Sequence, residues 1–122
     1  MNLALSILIA FVMIAGGAAH LAATPNFVPL VPKFLPATPI ILATGALQIL
    51  IGLAALWPRT RSLGALAFAA LCLAYLPLHL WDYVRPDPVF APPMAATARV
   101  VVQIFFIWAG YTLWIRTRGP QK

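Results

Sequence analysis

Four runs of about twenty residues, Leu3 to Ala22, Thr38 to Trp57, Ser62 to Trp81 and Thr97 to Ile115, fill most of this 122-residue chain, and only the last contains a formal charge, Arg99. A helix rises about 1.5 Å per residue, so about 20 apolar residues cross the roughly 30 Å hydrocarbon core of a bilayer. Lipid offers the backbone no hydrogen-bond partners, so such spans must be helices that satisfy themselves. The expectation is an all-α integral membrane protein: one domain over residues 1–122, built as an antiparallel four-helix bundle with spans at about 3–22, 38–57, 62–81 and 97–115.

Composition supports that solvent. The chain is 63% hydrophobic and 8% charged, against about 25% charged residues in a soluble domain. The net charge of +6 does not point to nucleic acid, because the basic residues are scattered at span ends and not clustered with aromatics on one face. They read instead as topology signals. Arg59, Arg61, Arg116, Arg118 and Lys122 fall on the side of the termini, and Lys33, Arg85 and Arg99 on the other. The excess predicts both termini on the cytoplasmic side of the cell (inner) membrane. The first run has no Lys or Arg ahead of it and is longer than the apolar stretch of a secretory signal, so it reads as a true span.

The connectors are unequal. "TPNFVPLVPKFLPATP" holds prolines at 25, 29, 32, 36 and 39, which forbid a regular helix through it, yet it is rich in Phe, Val and Leu. It is expected to fold over the outer end of the bundle, with Thr38 capping the second helix and Pro39 in its first turn. "YVRPDPVFAPP" is similarly rigid and apolar, whereas the intervening loop "PRTR" is minimal. Two proline-rich flaps thus fall on one side, and the activity is expected there. Gly16, Gly17, Gly45, Gly52, Gly64 and Gly110 would let helices approach closely, and Pro77 would kink the third span.

On helical wheels the polar residues form one stripe per span. Cys72, Tyr75, His79 and Asp82 share a face of the third. Arg99, Gln103, Phe106 and Gly110 do so in the fourth, Gly45, Gln48 and Gly52 in the second, and Met13, Gly17 and His20 in the first. Polar groups at membrane depth are costly and normally face the bundle interior. The candidate ligand pocket is therefore His20, Gln48, Tyr75, His79, Asp82, Arg99 and Gln103, with Asp82 paired to Arg99 or His79 and the aromatics Phe27, Phe34, Trp81 and Tyr83 nearby. The structural alternative gives the same residues to interfacial ion pairing, headgroup contact and interhelical bonds.

Catalysis is hard to assemble. Two histidines and a carboxylate match a facial-triad inventory, but Arg99 would set a cation beside the metal and no HxxxH or ExxH spacing occurs, so no metal site is expected. His79 and Asp82 are helix neighbours at i, i+3, an arrangement common without catalysis. No serine accompanies either histidine and no phosphate-binding Gly-rich loop is present. Cys72, the one cysteine, excludes an intramolecular disulfide or CxxC pair and reads as a small buried hydrophobe.

The successive stretches "GAAHLAATPNFVPLVPKFLP", "GALQILIGLAALWPRTR", "LPLHLW" and "RVVVQIFFIWA" resemble the DoxX-like membrane proteins, in the same order and over nearly the whole chain. The positions that carry the resemblance include Gly17, His20, Pro25, Phe27, Pro32, Phe34, Pro36, Gly45, Gly52, Arg59, Arg61, Pro77, Arg99, Gln103 and Trp108, and the proline-rich segment after His20 is the most specific. The chain departs from the pattern at Gln48, where the family usually has glutamate, and at His79, where it often has asparagine. The resemblance implies a four-helix bundle and an association with thiol or sulfur redox chemistry and quinone-linked respiration; the disulfide-handling relatives use paired cysteines, which this chain lacks.

Two functions follow as expectations. One is a binding or redox-accessory protein that holds a small amphipathic ligand, a quinone or a lipid, in the outer-face pocket. The other is a non-catalytic subunit packed against other membrane subunits or its own copies. The exposed aromatics expected for the second are Phe105, Trp108, Tyr111 and Trp114, which suit lipid contact equally well. An independent enzyme ranks behind both, since nucleophile, base and electrophile do not converge.

Overall fold

The computed structural model describes residues 1–120, and its regular elements there are all helical. They are α1 (Asn2–Ala22), α2 (Thr24–Phe27), a 3-10 turn (Val28–Leu30), α3 (Ala37–Leu56), α4 (Arg61–Trp81) and α5 (Met94–Thr117). The helices α1, α3, α4 and α5 are each long and apolar enough to cross a membrane. Lys122, counted above among the topology signals, lies outside the described residues.

The ends differ from expectation in two places, both at prolines. Thr38 does not cap α3. The helix starts at Ala37, with Pro36 in extended geometry at the cap position and its carbonyl accepting from Ile40 N–H at 3.3 Å. Thr38 is already helical, and Pro39 takes the first turn, where no N–H is required. α5 begins at Met94, directly after Pro93, and runs to Thr117, so it is longer at both ends than the run from Thr97 to Ile115. Its polar ends can reach an interface while the middle stays apolar. The first connector does form helix, but only as single turns. Pro25 and Pro29 each occupy one of the first two positions of a turn, and the run stops at Val31, which is extended. α4 continues through Pro77 to Trp81.

Packing is most extensive between α1 and α3 and between α4 and α5, and α3 against α4 joins the two pairs. In lipid no hydrophobic gain separates a helix–helix contact from a helix–lipid one, so close backbone approach at small residues has to supply the attraction. The glycines do this. A Cβ on Gly17 would stand 2.5 Å from the Gly45 carbonyl oxygen, one on Gly64 would stand 2.5 Å from Ala55 N, and one on Gly110 would stand 2.9 Å from the Ala65 carbonyl oxygen. Each marks a different helix pair.

The two halves of the molecule are built differently. The apolar core, including Leu5, Ile9, Ile51, Ala55, Ala65, Phe68, Ala109 and Leu113, draws on the first halves of α1 and α4 and the last halves of α3 and α5. Beside it, Ser6 donates to the Ala55 carbonyl, while Arg61 reaches Ser6 Oγ at 3.1 Å and the Leu56 carbonyl at 3.1 Å. That guanidinium satisfies carbonyls left open at the C-terminus of α3. The opposite half, where the two long connectors lie, carries the polar stripes. Large apolar side chains such as Phe11, Leu50, Leu63, Leu73, Ile104 and Trp108 remain exposed on all four long helices, a surface that water would not tolerate and lipid would.

Candidate functional site

At the connector end residues of all four long helices line a cavity of about 110 Å³. Its apolar wall is made of Phe27, Leu30 and Val31 from the first connector, Ile40 and Ile41 from α3, and Leu78 from α4. The polar lining consists of His20, Thr44, Tyr75, His79 and Arg99, so each long helix contributes at least one polar group.

Behind the lining, the Gln48 side chain organises three helices. It is 4% exposed. Its amide nitrogen donates to Tyr75 Oη at 3.1 Å and lies 3.4 Å from His20 Nδ1. Thr44 Oγ1 sits 3.4 Å from the same His20 nitrogen, but its hydrogen is directed to the Ile40 carbonyl at 2.8 Å. The His20 ring meets Phe27 edge-on, with centroids 4.2 Å apart, which fixes the imidazole against the first connector. On α4, His79 is buried, and its Nδ1 has no hydrogen-bond partner among the described residues. A buried polar atom without a partner costs about 1–3 kcal/mol, and most such atoms in folded proteins find one. His79 itself is among the residues that line the cavity.

A second polar cluster holds the connectors. Asp82, 1% exposed, accepts from Arg99 Nη1 at 3.1 Å and from Val89 N–H at 3.0 Å, and lies 3.8 Å from Arg85. Arg85 also donates to the Pro29 carbonyl at 2.9 Å and stacks on Trp81 at 4.1 Å. Arg99 lies over Phe90 at 4.3 Å. One carboxylate thus ties α4, α5 and the second connector together, and Arg85 extends the tie to the first. Tyr83 Oη and Thr97 Oγ1, 2.5 Å apart, add a further clasp.

The residues singled out from the sequence separate into three groups. His20, Tyr75, His79 and Arg99 line the cavity together. Gln48 and Asp82 stand behind it as supports: Gln48 orients Tyr75 and His20, and Asp82 holds Arg99. Asp82 pairs with Arg99 and not with His79. Gln103 does not reach the cavity. Its amide donates to the Cys72 carbonyl at 2.6 Å, which makes it a bond between α5 and α4 near mid-helix. Of the aromatics expected nearby, only Phe27 lines the cavity; Phe34 is 86% exposed, Trp81 is covered by Arg85, and Tyr83, exposed in the second connector, bonds Thr97 of α5. On α5, Phe105, Trp108 and Tyr111 are exposed as expected, but Trp114 is half-buried against the core. Sequence reasoning missed Thr44, Ile40, Ile41 and Leu78. Thr44 lies four residues before Gln48 on the same stripe, a signal that was available; the aliphatic residues carry none.

These elements define a small all-helical protein with four helices suited to a bilayer and a polar cavity at one end. The chain belongs to a family described as a domain of unknown function, DUF8561, whose family model matches residues 9–114. That range takes in every residue lining the cavity. No curated protein and no solved structure matches the chain.

Proposed function

We propose that this protein is a DoxX-like integral membrane protein of the cell (inner) membrane that holds a small amphipathic ligand, a quinone or a lipid, in the cavity between its four spans. In this reading the spans form an antiparallel bundle with both termini cytoplasmic, and the proline-rich connectors close the outer end. The basic residues near Arg59, Arg61, Arg116 and Arg118 support that orientation. The observation that carries the proposal is the buried, unpartnered Nδ1 of His79 beside a cavity that is apolar on one wall and polar on the other. An amphiphile meets both demands: its head supplies His79, and its apolar part lies against Ile40, Ile41 and Leu78. The protein acts by binding and presenting the molecule, as a redox-accessory or carrier component, and not through a nucleophile of its own.

A second reading rests on a different surface. Phe105, Trp108 and Tyr111 are exposed along α5, with ring centroids of the first two 5.6 Å apart. This continuous aromatic ridge suits a neighbouring membrane subunit or a second copy of the chain as well as it suits lipid. Native mass spectrometry of gently purified protein separates the readings. A retained small molecule that is lost in His79→Ala supports the cavity reading. Larger subunits retained without a small molecule would overturn it.

A further inference from the structure

Resting on the cavity reading, we infer that the occupant is a long-chain carboxylate, a single-chain fatty acid whose headgroup is read by the Tyr75 hydroxyl and the Arg99 guanidinium. The argument begins with proton placement around Gln48. Its amide nitrogen donates to Tyr75 Oη at 3.1 Å and stands 3.4 Å from His20 Nδ1, so the phenol oxygen accepts. The Thr44 hydrogen is engaged by the Ile40 carbonyl, so Thr44 Oγ1 offers the His20 nitrogen a lone pair at 3.4 Å. A phenol whose oxygen accepts still has its own hydrogen to give. Tyr75 O–H is therefore a donor without an acceptor assigned. His79 adds a further unpartnered ring nitrogen, and Arg99 spends Nη1 on Asp82 while the rest of its fork remains. Among the described residues no carboxylate lines the cavity.

Charge points the same way. The connector half holds Lys33, Arg85 and Arg99 against Asp82 and Asp87, the only acidic residues in the chain. Asp82 is shared between Arg85 and Arg99. One carboxylate cannot neutralise both guanidinium groups, which are 11% and 19% exposed, so an anion is favoured there over a neutral head. Size completes the argument. A cavity of about 150 Å³ accepts a benzene ring, so about 110 Å³ takes a carboxylate and its first methylenes but not the glycerophosphate of a two-chain lipid. The remaining chain continues into the bilayer.

The test uses the full chain in phosphatidylcholine nanodiscs, titrated with palmitate, hexadecanol and decylubiquinone in mildly alkaline buffer, where a free carboxylate is ionised. Palmitate is expected to bind about tenfold or more tighter than hexadecanol, since hydrogen bonds to a charged group are the strong ones. Tyr75→Phe, which keeps the ring, should weaken palmitate about tenfold and hexadecanol by a smaller factor, since a bond to a neutral hydroxyl is the weaker one. Gln48→Glu reverses the hydrogen-bond direction and adds a negative charge, so it should abolish palmitate binding. Equal affinity for palmitate and hexadecanol would overturn the carboxylate inference while leaving the cavity reading intact. Binding of decylubiquinone without palmitate would do the same and assign a neutral ligand. If none of the three binds, the cavity reading fails with it.

Discussion

Arg99 sits where a cation is expensive, and its place is secured by one buried carboxylate, Asp82, 3.1 Å away. Removing one partner of a buried pair leaves the other uncompensated, at a cost of about 3–5 kcal/mol. Arg85 stays within 3.8 Å of Asp82 and Val89 N–H still donates to it, so Arg99→Ala is expected near the lower end, at about 3 kcal/mol. Thermal unfolding in detergent should show a clearly lower Tm, with Arg99→Lys in between; an unchanged Tm would place Arg99 outside the packed structure. Ser6→Ala should cost only about 1 kcal/mol, because Arg61 continues to serve the Ala55 and Leu56 carbonyls. At this scale the sequence was legible where a polar residue had one plausible burial face. The wheel faces of Cys72, His79, Asp82 and Gln103 are buried faces. It was not legible where the partner is a backbone carbonyl: Gln103 could not be told from a cavity residue until the Cys72 carbonyl was seen beside it, since every residue has a carbonyl and none is marked.

Helix ends and contact faces follow from two residue types. Proline decides the ends, which is why the spans were readable to within a few residues while the Thr38 cap was misplaced: Pro36 already supplies the geometry that a capping hydroxyl would otherwise support. Glycine decides the faces. Gly17→Ala would put a Cβ 2.5 Å from the Gly45 carbonyl oxygen, a backbone atom that cannot turn aside, and α1 would have to move away from α3. The expected loss is about 1–3 kcal/mol. Gly119→Ala is the control, since its Cβ would meet nothing within 4 Å, and it should stay within about 0.5 kcal/mol. Equal Tm values for the two variants would mean that α1 and α3 do not pack as described. α5 differs from the other helices because it buries the smallest share of its apolar stretch. Its pairing with α4 at Gly110 uses one side only, so the ridge of Phe105, Trp108 and Tyr111 is left for lipid or a partner.

Across the whole molecule, polarity is divided by height. One half is closed by Phe68, Ile9 and Leu113, all fully buried, and the other opens around His20, Tyr75, His79 and Arg99 under the two connectors. The division was partly visible in the chain, because the polar stripes sit near the ends of spans that point to the proline-rich segments. The cavity itself was not, since an unfilled volume leaves no mark on a hydropathy profile and its wall is made of ordinary Ile and Leu. The central claim is that this cavity lies at the outer end of the spans and receives an amphiphile from that side. Its most direct test is thiol accessibility at Thr44, which lines the cavity, using Thr44→Cys with Cys72, the only native cysteine, replaced by alanine. A small membrane-impermeant thiosulfonate should modify the site in sealed vesicles when added to the outer face and not the cytoplasmic face, and palmitate should slow the reaction several-fold. Modification from the cytoplasmic face alone, or a rate that no amphiphile changes, would contradict the account.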